Sequence, residues 1–599
     1  MDKNTIIGIV LSTLVVIAGI TLQTILFPPA ETSAATEQQE TVATTSPVNE
    51  NTENPNTNET LSLLTDVDVE DDTEESTEKF YEIDTDLVQV KFTNRGGDVV
   101  SYKLKKHSEK GDFIEMADAV TDNNKAFSII LGDSNEPAIN QIFHTKIIND
   151  TTIGFFRNFT VKNTDGSESS FTLAKQYTFL PDDYMFELKV TIDGDSSLKG
   201  LRFGNSAYTI KTSPQIGPEW NAKQDKYEYR RFYYLLNGKK KKLTLNAGQK
   251  KTINDTVTWT GVAGKYFTLI ALPENQIDTV TYSTVASSAD VTNAQMFISR
   301  PSIVANKNTD TWRFYIGPRT EKELGKYNVA IKNPYSLDDT KIDEIVESSG
   351  ILGPVEIMLK WLMEIFYKVI PNWGVAIVIL TVLVRVLLFP LTKKGSQATL
   401  KMQELNPKIQ EIQTKYKDNQ QKMNEEMAKL YQTAGYNPLS GCLPILIQFP
   451  LIFAMYNLFN NYFEFRGAMF IPGWIPDLSK GDSVLQFPFT VPILGWTELH
   501  LLPIIYVISQ LIQGKITQTP GASQQNASMK IMLYGMPLFF FFVFYNAPAG
   551  LLIYWILTNV LSMGQQMVIN RAMKLEETKK EVAKPQPVIK KTTKSHKKR

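Results

Sequence analysis

The chain has 599 residues, 43% hydrophobic and 21% charged, with a formal net charge of -1, four His and a single Cys. The lone Cys442 excludes an intrachain disulfide, and so little His and Cys argues against a zinc site. The near-zero charge hides an uneven chain, in which an acidic, polar stretch of about 320 residues dilutes apolar runs of about 20 residues, each long enough to cross a ~30 Å hydrocarbon core.

Residues 6–27 (IIGIVLSTLVVIAGITLQTILF) are a 22-residue uncharged run. This exceeds the roughly 7–15 apolar residues of a cleavable signal, so residues 1–29 read as an N-terminal transmembrane signal anchor, with cleavage after Ser33, Ala34 or Ala35 as the alternative. Residues 30–79 are rich in Thr, Glu, Asn and Ser, then acidic around Glu70, Asp71, Asp72, Glu74 and Glu75. Such a composition buries too little apolar surface to offset its ordering entropy, and predicts a disordered tether.

From 80 to 350 the hydrophobic period is mostly two. Tyr184, Phe186, Leu188, Val190 and Ile192 alternate with polar partners, as do Trp312, Phe314 and Ile316. Turn signals such as Arg95-Gly96-Gly97-Asp98 and Asp193-Gly194-Asp195 punctuate the strands, which predicts a large antiparallel β-sandwich. Residues 351–371 switch to a helical period, with Val355, Met358, Leu359, Leu362, Phe366 and Val369 on one face and Glu356, Lys360, Glu364 and Lys368 on another. That pattern fits an interfacial amphipathic helix with two Glu-to-Lys pairs; a soluble helix packed on the sandwich is the alternative.

Five apolar segments follow, at about 373–391, 442–462, 499–514, 529–546 and 549–570, within a core spanning 372–575. Between the first two lies a basic helical hairpin, 393–438, turning at Asp418-Asn419, and Pro407 is expected to disturb its first arm. The hairpin and the basic tail 576–599 both belong on the cytoplasmic side. Six crossings satisfy that orientation, with both termini inside and the sandwich outside.

Arg385 stands about six residues from the cytoplasmic end of its segment, and a central Arg costs roughly 2.5–3.5 kcal/mol even on the lenient insertion scale. Snorkelling to the phosphates explains its position about as well as function does. Thr381 lies one turn above it, and Gln448, Asn457, Asn460, Gln510, Thr558 and Asn559 place polar groups at mid-depth in other segments. Each alone fits an interhelical hydrogen bond; together with the Arg they suggest a hydrated cavity. These spans hold no acidic residue to pair with Arg385, which argues against a proton relay or a cation pathway. The chain has no Gly-rich phosphate loop, His and Cys cluster or nucleophile elbow, so the reading is not an enzyme, with no cofactor and no metal.

The stretch VRVLLFPLTKKGSQATLKMQELNPKIQEIQTKY, the segment NPLSGCLPILIQFP and the segment APAGLLIYWILTNVLSMGQQ together resemble the YidC membrane protein insertases, the bacterial branch of the Oxa family. The resemblance runs nearly continuously from Gly374 to Leu575, and TNRGGDVVSYKL and FYIGPR are similar to the start and close of the family's periplasmic domain. It implies a polytopic α-helical membrane protein of the bacterial inner membrane. Its six transmembrane helices would include a five-helix core with a hydrophilic groove, and its large antiparallel β-sandwich (supersandwich) would be periplasmic.

The family's groove positions fall on Arg385, Thr381, Gln448, Tyr554 and Trp555, the last being commonly Tyr in relatives. The implied partners are nascent membrane proteins, the Sec translocon, anionic lipids and the ribosome. For the last two the basic residues Lys401, Lys408, Lys415, Lys590, Lys591, Lys597, Lys598 and Arg599 are the candidate contacts. A solute transporter or channel would also use six helices and an intramembrane Arg, but no repeated halves or symmetric broken helices are present. An envelope scaffold would explain the sandwich and leave Arg385 without a purpose.

Overall fold

Period-two alternation becomes one buried face per strand. Phe186, Leu188, Val190 and Ile192 of the strand Met185–Gly194 are all buried, as are Trp312, Phe314 and Ile316 of its neighbour Lys307–Pro318. This computed structural model describes residues 64–69, 77–109, 111–163, 167–220, 227–274, 277–285, 293–347, 350–435, 443–492, 494–517 and 534–582. The chain divides into two units between Ser348 and Ser349. The anchor 6–27, most of the stretch 30–79 and the tail beyond 582 lie outside the described residues.

The first unit is built on an antiparallel ten-stranded sheet. Strand β1 (Leu64–Val69) forms an edge against Thr152–Asn163; then come Glu168–Phe179, Met185–Gly194, Lys307–Pro318, Phe267–Pro273, Val257–Ala263, Arg231–Leu236 and Lys239–Leu243. His144–Asn149 pairs with the remaining part of Thr152–Asn163. A four-stranded and a five-stranded sheet cover this sheet through aromatic contacts. Phe92 meets Tyr177 at 5.0 Å between ring centroids, and Phe232 meets Tyr282 at 4.9 Å. Burying each such ring contributes roughly 1.5–3 kcal/mol.

The turn at 95–98 needs its glycines. Gly97 has φ +61°, and a Cβ there would lie 2.7 Å from Cβ of Phe155. β1 corrects the expectation of an unbroken tether over 30–79. Val67 and Val69 stand in register opposite Val161 and Phe159, so six residues of alternating pattern gain a ladder that composition does not reveal.

The second unit is helical: α1 (Gly353–Val369), α2 (Trp373–Leu387), α3 (Phe389–Lys415), α4 (Gln420–Thr433), α5 (Leu443–Asn461), α6 (Leu502–Thr517), α7 (Met536–Val543) and α8 (Ala549–Val582). The chain bends by 54° between α2 and α3, where Pro390 cannot donate to the preceding turn. Pro407 lies inside α3, which continues through it with the flanking Leu405 and Ile409 buried; its nitrogen has no hydrogen to donate to the ladder. The hairpin turn is where expected, with the Asn419 side chain capping α4 by accepting from the Lys422 amide.

Among the described residues one helix, Ala549–Ala572, is long and apolar enough to span a bilayer. The bent pair Trp373–Leu387 and Phe389–Gln397 makes a second if taken as one span, while the apolar helix Leu502–Ile516 is shorter. The expected six crossings are therefore not matched helix for helix. Residues 6–27 and 518–533, which hold one expected span and the start of another, lie outside the described residues.

α1 turns a mixed face toward the rest of its unit. Its buried residues are Glu356, Leu359 and Met363, whereas Met358 and Val369 are 51% and 77% exposed. The reason is a polar contact that a helical wheel does not contain: Asn457 Nδ2 of α5 donates to Glu356 Oε1 at 2.9 Å. Glu364 accepts from the Tyr462 hydroxyl at 3.4 Å, so the acids of α1 bind the end of α5, and neither of the expected Glu-to-Lys pairs forms.

Candidate functional site

α2 owes its start to Asn372, whose side chain accepts from the Val375 amide at 3.0 Å. From there 3.6-residue spacing places Thr381 and Arg385 on one buried face, at 1% and 8% exposure. Thr381 Oγ1 donates to the Ile377 carbonyl at 2.6 Å, which satisfies the hydroxyl within its own helix. The main chain of Arg385 is tied to α8 by Gln565, whose Nε2 donates to the Arg385 carbonyl at 3.0 Å.

The guanidinium lies within electrostatic reach of the Tyr554 phenol on α8. Among the described residues no carboxylate pairs with it. Tyr554 is buried against Phe459 of α5, with centroids 5.3 Å apart. The structure thus brings Arg385, Thr381 and Tyr554 to one place. It sends Trp555 elsewhere: its ring packs on Phe544 at 4.6 Å and Tyr506 at 5.5 Å, about 100° around the helix from its neighbour. Gln448 falls within α5, but its side chain lies outside the described residues.

α6 and α8 are joined by a buried cluster in which Asn559 Nδ2 donates to Ser509 Oγ at 2.9 Å and to Gln510 Oε1 at 2.8 Å. Two further buried oxygens, Asn460 Oδ1 and Gln565 Oε1, have no protein partner among the described residues. At the start of α6, buried Asp482 accepts from the amides of Leu501 and Leu502 and from Trp474 Nε1 at 3.0 Å, capping the helix from the folded loop that precedes it. Of these residues, sequence reasoning missed Glu356, Ser509, Gln565 and Asp482. Glu356 had a signal, since it shares a helical face with Leu359 and Met363.

On the hairpin, Lys408 and Lys415 are exposed, and Lys415 and Lys422 both lie over the Tyr416 ring, at 5.6 and 5.7 Å. The side chain of Lys401 and the whole of Lys590, Lys591, Lys597, Lys598 and Arg599 lie outside the described residues. No group of His, Cys, Asp or Glu suited to a metal occurs among the described residues. The first unit carries a polar cavity of about 410 Å³ lined by residues including Asp133, Asn205, Thr252 and Ser299, although nothing in its sequence suggests a cleft.

Two family models match the chain: 60Kd inner membrane protein over residues 365–578 and YidC periplasmic domain over residues 81–341. The chain is 51% identical to the membrane protein insertase YidC of Treponema denticola over 587 residues, covering 96% of this chain and all of the relative. It is 44% identical to that of Treponema pallidum, with the same coverage of both chains. Among solved structures it matches an active YidC insertase with its first transmembrane domain resolved, at 16% identity and TM-score 0.32, over 84% of this chain and 94% of that one. With both units matched by family models and a half-identical relative spanning nearly all of its length, the chain belongs to the YidC family of membrane protein insertases.

Proposed function

We propose that this insertase lowers the cost of moving a polar segment into the inner membrane by offering it a hydrated groove beside Arg385. The observation that carries this reading is a guanidinium buried in an apolar helix with no carboxylate partner among the described residues. A cation in low dielectric attracts acidic and polar groups strongly, because the Coulomb energy of a pair scales inversely with the effective dielectric constant. Unpartnered buried oxygens on α5 and α8 call for water or a polar guest for the same reason.

A nascent segment enters from the cytoplasm, passes its polar part by Arg385 and Tyr554, and leaves sideways into lipid. Burial of its apolar surface, at about 25 cal/mol per Å², drives the step without a nucleotide. In this reading the chain crosses the membrane six times, with both termini cytoplasmic and the β unit periplasmic. The basic hairpin, through Lys408 and Lys415, and the basic tail meet the ribosome or anionic lipid, and the Sec translocon shares part of the work.

Reconstitution in liposomes with a small single- or double-spanning substrate tests the groove. Wild type and Arg385→Lys should insert it and Arg385→Ala should fail. Equal insertion by all three would move the work from the charge to the shape of the groove.

A further inference from the structure

Thr152–Asn163 has one fully paired edge and one divided edge. Glu168–Phe179 runs along the first, while on the second His144–Asn149 covers residues 152–156 and β1 covers residues 159–163. β1 is foreign to the sheet it completes. Its nearest strand in sequence, Phe80–Asp84, belongs to a different sheet, and the residues on both sides of β1 have the polar, acidic composition of a tether. A segment from outside the sandwich thus already occupies this edge by strand addition.

We propose that the slot along Phe159–Asn163 is an exchangeable β-augmentation site, held by β1 at rest and taken by extended segments of the polypeptide that the insertase delivers to the side of its β unit. The proposal rests on the insertase reading. The register defines the guest. Val67 and Val69 stand opposite Val161 and Phe159, which are buried, while Asp66 and Asp68 stand opposite Lys162 and Thr160. An acceptable guest alternates apolar with polar or acidic residues over about five positions, and its main chain supplies most of the binding, so sequence demands stay loose.

Lys162 within the slot disfavours basic guests. Segments on the far side of a bacterial inner membrane are poor in Lys and Arg, which suits that selection.

The physical logic also explains the resident. An open strand edge on a protein that handles unfolded chains is a hazard, and a tethered strand of six residues closes it at high effective concentration. Paired on one side among the described residues, β1 belongs to the class of elements that open locally at low cost.

The test uses the full chain in liposomes with Cys442→Ser throughout. An open variant lacks residues 64–69; a locked variant carries Val67→Cys with Val161→Cys, register partners that oxidation joins. The probe is a labelled synthetic peptide of residues 62–71. It should bind the open variant at least about tenfold more tightly than the locked one. During insertion, a photo-cross-linker at Thr160 should capture the substrate's outer segment more in the open variant than in wild type, and not in the locked one. Equal peptide binding by open and locked chains, or cross-linking indifferent to both changes while insertion proceeds, overturns the slot. Failure of every vesicle, wild type included, to insert substrate would strike the insertase reading instead, and the peptide result would still judge the slot.

Discussion

The two units bury cations in opposite ways. In the β unit, Lys175 is fully enclosed, and its Nζ donates to Asp98 Oδ1 at 2.6 Å, to the Phe127 carbonyl at 2.8 Å and to the Gly96 carbonyl at 3.0 Å. Arg319 is likewise satisfied by the carbonyls of Ile345 and Gly264 and by the Tyr229 hydroxyl. In the helical unit, Arg385 is nearly as buried and has no ionic partner among the described residues. A buried cation with every donor filled is a structural tie with no capacity for a guest. One left unfilled is less comfortable for the fold and available to a substrate.

The comparison breaks most visibly at Lys175. Lys175→Ala strands the Asp98 carboxylate in an apolar core and should cost the β unit about 3–5 kcal/mol, read as a lowered denaturation midpoint of the full chain in detergent. A loss below ~1 kcal/mol would mean that water replaces the amine. Arg385→Ala should do the reverse, leaving that midpoint unchanged or raised while insertion falls at least tenfold, or about 1.4 kcal/mol in effective barrier.

A sharper contrast lies at the α1 to α5 contact. Glu356→Ala removes the acceptor of Asn457 and should cost about 1–3 kcal/mol of helical-unit stability, whereas Glu356→Gln retains an acceptor and should cost less. If the two variants behaved alike, the hydrogen bond would not be what holds α1.

The smallest effect concerns pH. Burial alone would raise the Glu347 carboxyl, but Arg319, Lys242 and Arg231 outweigh it and hold it at about 2, against an ordinary 4.5. A depressed carboxylate adds stability that is fully present above the unfolded value and disappears as pH falls toward the folded one. The β unit should therefore weaken between pH 4.5 and 2. Glu347→Gln should flatten that slope by about 1 kcal/mol, a figure reduced for a side chain 35% open to solvent. An unchanged acid slope in the variant would assign it to other carboxylates.

Local pattern went far. The strands around Phe186 and Phe314, the glycine turn at 96–97, the helical hairpin capped by Asn419 and the place of Arg385 in an apolar helix are all legible from spacing and residue type, because each depends on neighbours a few positions away. The bend between α2 and α3 was missed although Pro390 signals it, and the packing of Trp555 on Phe544 and Tyr506 follows from no local pattern.

What the sequence by itself determined was period, polarity and charge: a β unit, a set of apolar helices, and a basic residue inside one of them. What only the tertiary structure decided was which polar groups meet. Asn457 draws Glu356 inward, Gln565 reaches the Arg385 carbonyl, and β1 finds an edge about 90 residues away in the chain. Those pairings depend on side-chain direction and on loop closure across long separations, and neither is encoded in a local window. The cost of leaving a buried polar group unpaired selects among the folds that local pattern allows.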